Sequence, residues 1–168
     1  MSAKSNLVLI GMPGAGKSTV GVVLAKKLGY AFIDSDLVIQ EKEKRLLHEI
    51  ISSDGLSAFL EIENRVNASL EAQHSVIATG GSAVYGAQAM AHLHEIGTVI
   101  YLKLSYEAIA NRLGDLHERG VALKENQTLL ELYEERIPLY EHYADVTIDC
   151  EKLQLREVAE QIMEKMKL

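Results

Sequence analysis

The sequence predicts an α/β fold in which a parallel five-stranded sheet is flanked by helices on both faces. Short apolar runs of strand character alternate with segments of helical periodicity along the 168 residues. This alternation is typical of parallel strands joined through crossover helices. A glycine-rich loop, Gly11–Thr19, lies between the first strand-like run and the first helical segment. That strand–loop–helix order is the context in which phosphate-binding loops occur.

The composition indicates one globular domain over residues 1–168. The hydrophobic fraction of 48% and the charged fraction of 24% are ordinary for such a domain. A net charge of −7 argues against nucleic acid or an anionic membrane as the main partner. Cys150 is the single cysteine, and neither a signal peptide nor a membrane span is visible. These features favour a reducing cytoplasm, and we expect in addition a monomer that acts on a small molecule.

The glycine-rich loop reads Gly-Met-Pro-Gly-Ala-Gly-Lys-Ser-Thr and fits the pattern G-x-x-x-x-G-K-[ST]. Glycines allow a tight turn whose amide groups point at an anion. Lys17 supplies a point charge from a side chain expected in solvent, and the Ser18 hydroxyl can ligate Mg²⁺. An ordinary glycine turn is the alternative, but it requires neither residue. The residues predicted to bind phosphate are Gly14, Ala15, Gly16, Lys17, Ser18 and Thr19.

The elements around this loop follow from apolar spacing. Asn6–Ile10 is a short buried strand. The helix after the loop has apolar residues at helical spacing and a glycine stop, namely Val20, Val23, Leu24, Leu28 and Gly29. A phosphate in the loop would therefore lie at a helix N-terminus, where free amides and the dipole favour negative charge.

Two carboxylates follow the second predicted strand. Tyr30–Ile33 leads into Asp34-Ser35-Asp36, and the carboxyl ends of strands are where open α/β sheets bind ligands. Asp34 or Asp36 could ligate Mg²⁺ or hold a hydroxyl group. The alternative for either residue is to cap the next helix.

The middle of the chain is mostly helical. Leu37–Ile51 reads as one helix, and Ser52–Gly55 as a break. The next helix has a core face, from which Leu60 is displaced. That face consists of Phe59, Ile62, Val66 and Leu70.

The third strand, Val76–Thr79, ends at Gly80 and Gly81. Paired glycines at a strand end allow a ligand to approach the backbone closely, although a plain turn is the alternative. A short helix, Ala87–Ile96, and a fourth strand, Thr98–Leu104, follow.

Ser105 can cap a helix that holds Arg112. The polar stretch Gly114–Gln127 has no clear period, and such a stretch is often an active-site lid. Arg112 flanks this stretch and Arg119 lies within it. Either arginine could instead be solvated surface charge.

The last third of the chain completes the alternation. Thr128 and Glu131 form a capping box for a helix that contains Arg136 and ends near Pro138. A fifth strand follows at Val146–Cys150. A terminal amphipathic helix is indicated by Leu155, Val158, Ile162 and Met166.

The chain as a whole resembles the shikimate kinases. The ordered markers of this resemblance are Gly11–Gly21, Asp34–Asp36, Ala78–Gly81, Arg136–Tyr140 and Ala144–Ile148. The phosphate loop alone is shared by many families, whereas the ordered set is specific to this one. The resemblance implies a three-layer P-loop kinase fold, like that of the nucleoside monophosphate kinases, with a five-stranded parallel sheet and a mobile lid.

The resemblance also implies a reaction, the transfer of the γ-phosphoryl group of ATP to a ring hydroxyl with the help of Mg²⁺. By position, Ser18 and Asp34 would hold the metal, and Asp36 would hold the acceptor hydroxyls and take the proton. Arg112 would stack on adenine. The implied catalytic residues are Lys17, Asp36 and Arg119. The implied acceptor site consists of Asp36, Leu60, Gly80, Gly81 and Arg136. In this site Arg136 would bind a carboxylate of the substrate.

Three departures from the family pattern concern the acceptor. Leu60 stands where the family usually has a second carboxylate-binding arginine, and Ser82 stands where a third glycine is usual. The lid carries Arg119-Gly-Val-Ala-Leu, where Arg-Pro-Leu-Leu is usual. The acceptor thus remains open between shikimate and a related cyclic polyol without that carboxylate. The sequence is also compatible with a nucleotide-binding module without kinase activity and with a nucleoside monophosphate kinase.

Overall fold

A computed structural model describes residues 4–113 and 121–168. Within them, five strands form one parallel sheet in the order β2-β3-β1-β4-β5. The strands are β1 Asn6–Ile10, β2 Ala31–Asp34, β3 Ser75–Ala78, β4 Gly97–Lys103 and β5 Val146–Asp149. The predicted five-stranded parallel sheet is therefore confirmed, with β1 at its centre and fully buried.

Helices cover this sheet. They are α1 Lys17–Leu28, α2 Ser35–Glu43, α3 Leu47–Asp54, α4 Leu56–Ala68, α5 Ala87–Ile96, α6 Tyr106–Arg112, α7 Leu129–Tyr143 and α8 Leu155–Met166. Helix α1 packs against β3 and α8, α4 packs against α5, and α7 packs against β4. Among the described residues, none of the helices is long and apolar enough to cross a membrane.

The segment predicted as a single helix, Leu37–Ile51, is divided in the structure. Helix α2 ends at Glu43, and Lys44 adopts a left-handed conformation with φ 59° before α3 begins. The break turns α3 back onto α4, which buries Leu47 and Ile50 in a small apolar cluster. Burial of these side chains outweighs the local helical preference, which is worth only a few tenths of a kcal/mol per residue, roughly.

The predicted end of a helix near Pro138 is wrong. Helix α7 runs through Pro138 to Tyr143, although a proline inside a helix costs about 3 kcal/mol. The buried side chains of Arg136 and Tyr140 flank the proline. Their tertiary contacts keep the helix continuous, and sequence periodicity does not report such contacts.

Two predicted helix caps are confirmed. The Ser105 hydroxyl accepts the Ala108 N–H at 3.2 Å, at the start of α6. The Thr128 hydroxyl accepts the Glu131 N–H at 3.1 Å and donates to the Glu131 carboxylate. These caps fix the two helices that flank the predicted lid.

Two apolar clusters form the interior. The larger one surrounds the sheet. The smaller one joins α2, α3 and α4 to Ala122, which lies in the second half of the predicted lid. Residues 114–120 of that lid, including Arg119, lie outside the described residues. Both clusters border the cavity that holds the candidate site.

Candidate functional site

A cavity of about 390 Å³ opens at the carboxyl ends of the central strands. Parallel α/β sheets bind their ligands at this edge. The predicted site residues that line it are Gly14, Gly16, Lys17, Ser18, Thr19, Asp36, Gly80, Gly81 and Arg136. Of the predicted residues within the described part of the chain, Ala15, Asp34, Arg112 and Leu60 lie outside this lining.

The phosphate loop has the expected backbone geometry. Gly16 has φ 96°, a conformation that glycine favours, and helix α1 begins at the next residue. A Cβ atom on Gly16 would lie 2.7 Å from Leu155 Cδ2, so the space also requires glycine. The first turn of α1 therefore points its free N–H groups towards the cavity, which suits a bound anion.

Lys17 is held inside this loop. Its Nζ atom donates to the Gly11 carbonyl at 2.7 Å and to the Met12 carbonyl at 2.8 Å. The side chain is only 8% exposed, so the expectation that it lies in solvent is wrong. Burial lowers the pKa of Lys17 to about 8, although the negative charges of Asp36 and Asp34 act in the opposite direction. The lysine is thus mostly charged at neutral pH and borders the cavity.

Ser18 and Asp34 together offer oxygen atoms suited to a hard cation. The Ser18 hydroxyl donates to Asp34 Oδ2 at 3.2 Å. Asp34 Oδ1 accepts the Asp36 N–H at 3.0 Å, so Asp34 rather than Asp36 caps α2. No cluster of three or more acidic, histidine or cysteine side chains within the described chain could hold a metal alone. The pair therefore fits Mg²⁺ that is also held by phosphate oxygens and water.

Asp36 faces the cavity from the start of α2. Burial raises the pKa of Asp36 to about 6, with the Asp34 charge acting in the same direction and the Lys17 charge opposing it. Above pH 6 the group is therefore a carboxylate that binds protons more readily than an ordinary aspartate. Such a carboxylate suits a general base for a hydroxyl group.

Arg136 also lines the cavity and is 1% exposed. Its Nη2 donates to the Ala122 carbonyl at 2.8 Å, and its Nε donates to the Tyr85 hydroxyl at 3.4 Å. A Cβ atom on Gly81 would lie 2.8 Å from Arg136 Nη1, so this nitrogen faces the glycine turn. The arrangement presents a buried guanidinium to any anionic group near Gly81.

Sequence reasoning missed Tyr140 and Glu63. The Tyr140 hydroxyl donates to the Gly81 carbonyl at 2.6 Å, while its ring stacks on Tyr101 with centroids 5.2 Å apart. Glu63 is buried and accepts the Ser82 hydroxyl at 2.6 Å. The sequence could have indicated that Glu63 is buried, because this charged residue lies on the same helical face as the buried apolar residues of α4.

We expect Tyr140→Phe to disturb the acceptor side of the cavity. The change leaves the Gly81 carbonyl without its 2.6 Å partner, which should lower the free energy of unfolding by about 1–3 kcal/mol. The KM for the acceptor should rise about three- to tenfold while the KM for the nucleotide changes little. Tyr133→Phe is the matched control, since its hydroxyl donates to the Leu104 carbonyl away from the cavity. Equal effects of both variants on the acceptor KM would contradict this role.

Two predicted residues lie at the margins of the site. Arg112 Nη1 donates to the carbonyls of Gly14 and Ala15 at 3.1 and 3.4 Å, which places it against the phosphate loop. Leu60 lines a second cavity of about 190 Å³ that shares Ala122 with the first. Contact of Arg112 with adenine and of Leu60 with the acceptor stays a prediction, and Arg119 lies outside the described residues.

Comparisons with known proteins agree on one family. The family model for shikimate kinase matches residues 13–167. The shikimate kinase of Thermodesulfovibrio yellowstonii is 39% identical over 163 residues, covering 95% of this chain and 94% of that protein. The shikimate kinase of Prochlorococcus marinus is 38% identical over 167 residues, covering 96% of this chain and 82% of that protein.

Solved structures give the same result. The shikimate kinase from Acinetobacter baumannii in complex with shikimate is 30% identical and superposes with a TM-score of 0.82, covering 97% of this chain and 93% of that one. The shikimate kinase from Aquifex aeolicus is 28% identical with a TM-score of 0.81, covering 96% of each chain.

Proposed function

The chain belongs to the shikimate kinase family, and we propose that it transfers the γ-phosphoryl group of ATP to a ring hydroxyl of shikimate. Membership makes it a phosphotransferase that acts on a hydroxyl group and uses ATP. The observation that carries the proposal is the shared cavity in which the phosphate-loop Lys17, the carboxylate of Asp36 and the guanidinium of Arg136 meet. A module that only binds nucleotide requires neither of the last two.

On the nucleotide side, the loop amides and Lys17 hold the phosphates of ATP and offset their charge. Ser18 and Asp34 would hold Mg²⁺, which when bound neutralises charge on the phosphate oxygens. Arg112, placed against the loop, would contact the adenine base. Arg119 is proposed as the lid arginine.

On the acceptor side, Arg136 pairs with the carboxylate of shikimate, and the backbone of Gly80 and Gly81 holds the ring. Asp36 accepts the proton of the attacking hydroxyl, whose oxygen forms the new bond to phosphorus as the bond to ADP breaks. The proximity of Asp36 to Gly80 and of the buried Arg136 guanidinium to Gly81 supports this orientation.

Leu60 supports a second candidate acceptor, a cyclic polyol without the carboxylate. The side chain lines the neighbouring cavity, where the cation of Lys124 is paired with Glu135 at 3.3 Å. If family members hold the carboxylate with two arginines, then one arginine is missing in this chain. A hydrogen bond to a charged group is worth about 1.5–3 kcal/mol, so shikimate should bind about ten- to a hundredfold more weakly than with both arginines.

Steady-state kinetics of wild type and Leu60→Arg test the proposal. We expect wild type to phosphorylate shikimate and Leu60→Arg to lower the KM for shikimate by about ten- to a hundredfold. Leu56→Arg is the matched control, because it adds the same charge to the wall of the same second cavity.

Two results would count against these statements. If the wild-type KM for shikimate is below about 1 mM and Leu60→Arg does not lower it, then the absence of an arginine at position 60 does not weaken shikimate binding. Turnover of neutral cyclic polyols without any turnover of shikimate would favour the second candidate.

We further propose that the protein acts as a single-domain monomer in the cytoplasm. All residues assigned to the site come from one chain, and the cytoplasm supplies ATP and keeps the buried thiol of Cys150 reduced.

A further inference from the structure

Two groups that accept hydrogen bonds from Arg136 are tied to the neighbouring carboxylate of Glu135. Arg136 Nη2 donates to the Ala122 carbonyl at 2.8 Å, and Nε donates to the Tyr85 hydroxyl at 3.4 Å. The guanidinium also lies over the Tyr85 ring, with its Cζ atom 5.4 Å from the ring centroid. An aromatic face attracts a cation, so Tyr85 holds Arg136 in two ways. The remaining nitrogen, Nη1, faces the glycine turn at Gly81.

The first tie to Glu135 is a direct hydrogen bond. The Tyr85 hydroxyl donates to Glu135 Oε1 at 3.1 Å. Burial alone would raise the pKa of Glu135, but hydrogen bonds to its oxygens outweigh that effect and hold the pKa below its usual value. The group is therefore a carboxylate at neutral pH. A carboxylate only accepts and a guanidinium only donates, so the hydroxyl proton points to Glu135 and a lone pair accepts from Arg136 Nε.

The second tie runs through the chain that follows Ala122. Gln127 Nε2 donates to Glu135 Oε2 at 2.6 Å, and Lys124 Nζ donates to Glu135 Oε1 at 3.3 Å. The Lys124 N–H donates to Gln127 Oε1 at 3.1 Å and the Gln127 N–H donates to the Lys124 carbonyl at 3.1 Å, which closes a turn. Ala122, whose carbonyl accepts from the guanidinium, lies two residues before this turn. Glu135 therefore anchors the backbone that supplies this acceptor.

Glu135 is placed to act on the acceptor side through other groups. Within the part of the chain that the structure describes, it does not line the cavity of the candidate site but a second one, together with Tyr85 and Lys124. Its side chain is 31% exposed, whereas Arg136 is buried. Consecutive residues of a helix do not face each other, so the two ties connect Glu135 to the guanidinium.

We propose that Glu135 is a positioning residue that fixes the direction of the Arg136 guanidinium through Tyr85 and through the chain after Ala122. Each tie holds one nitrogen, Nε or Nη2, and together they aim Nη1 at the acceptor side of the cavity. The inference rests on the proposed function, because it requires an acceptor carboxylate that pairs with Arg136. Loss of Glu135 releases both ties, so the guanidinium must be ordered when the acceptor binds, and the affinity for the acceptor falls.

Steady-state kinetics of Glu135→Ala and Tyr85→Phe with shikimate test this inference. The KM for shikimate should rise about tenfold in Glu135→Ala and about three- to fivefold in Tyr85→Phe, which retains the ring beside the guanidinium. The kcat and the KM for ATP should stay within about twofold, because neither residue lines the cavity at the phosphate loop. Glu134→Ala, an exposed change on the same helix, is the matched control and should alter none of these values.

Two further variants separate positioning from a general loss of structure. Glu135→Gln retains an oxygen that can accept the Tyr85 hydroxyl, so its KM for shikimate should lie within about threefold of wild type. The double variant Tyr85→Phe/Glu135→Ala should raise this KM no more than about tenfold, because the tie through Tyr85 is already released in Glu135→Ala. Residues that act independently would instead multiply their effects, to about 30- to 50-fold.

Nitrogen-15 NMR of arginine-labelled protein measures the guanidinium without any dependence on activity. The Nε–H signal of Arg136 is assigned by its loss in Arg136→Lys. This signal should shift and exchange faster with water in Tyr85→Phe and in Glu135→Ala, because its acceptor is removed or released. It should not change in Glu134→Ala.

The inference is overturned if Glu135→Ala leaves the KM for shikimate within twofold of wild type, or raises the KM for ATP by the same factor. Multiplied effects in the double variant would also contradict a role through Tyr85. If Glu135→Ala does not fold, an unchanged KM for shikimate in Tyr85→Phe is sufficient to overturn it. Failure of wild type to phosphorylate shikimate would instead overturn the proposed function, and the inference with it, so the two failures are distinguishable.

Discussion

Asp36→Asn is expected to lower kcat by about 10²–10⁴-fold, the usual loss when a general base is removed. The amide keeps the shape of the side chain but cannot accept the hydroxyl proton. Nucleotide binding should change little, because Ser18 and Asp34 form a separate pair beside the loop. Steady-state kinetics with ATP and acceptor varied independently measure both effects.

Asp36→Asn should also change stability in a pH-dependent way. Burial raises the pKa of Asp36 from 3.8 to about 6, so ionisation of this residue costs folding free energy. That cost is absent below pH 3.8, grows as pH rises, and is complete above pH 6. The neutral variant should therefore unfold at a higher temperature than wild type at pH 8, with no such advantage near pH 4.

Asp34→Asn is the matched control for this carboxylate, since it removes the oxygen partner of Ser18 and weakens the α2 cap. We expect it to weaken the Mg²⁺-dependent binding of ATP. If Asp36→Asn abolished ATP binding and left the acceptor side unaffected, the roles assigned to Asp34 and Asp36 would be reversed.

Lys17→Ala should lower the rate of phosphoryl transfer by about a hundredfold or more. Transfer depends on positioning and charge neutralisation, so the loss of one preorganised cation should raise the barrier by a few kcal/mol, roughly. The ammonium group is fixed by the carbonyls of Gly11 and Met12, which points it into the loop before nucleotide binds.

Circular dichroism and steady-state assays separate folding from catalysis in this variant. The Lys17 side chain is mostly buried, and its loss leaves two loop carbonyls without their partner. A modest loss of stability of about 1 kcal/mol should therefore accompany the loss of activity. Lys26→Ala, an exposed change on the same helix, should affect neither property. Unchanged turnover in Lys17→Ala would contradict the assignment of the loop.

Much of the fold and of the nucleotide side could be predicted from the sequence because their determinants are local. The strand, loop and first turn of helix that make the phosphate site are contiguous between Asn6 and Leu28. The five strands could be found from short apolar runs, and their carboxyl ends carry Asp36 and Gly80. Hydrophobic periodicity and glycine placement act over a few residues, so they can be read without the tertiary structure.

The tertiary structure alone decided the buried contacts behind the acceptor side and the interruptions of regular structure. The Ser82 hydroxyl donates to Glu63, which lies 19 positions earlier in the chain, and the Tyr140 hydroxyl donates to the Gly81 carbonyl, 59 positions earlier. Burial of Lys17 and continuation of α7 through Pro138 likewise depend on packing between distant elements. The physical reason is that burial and pairing of a charge depend on which elements meet in space, and a local pattern of residue types does not contain that information.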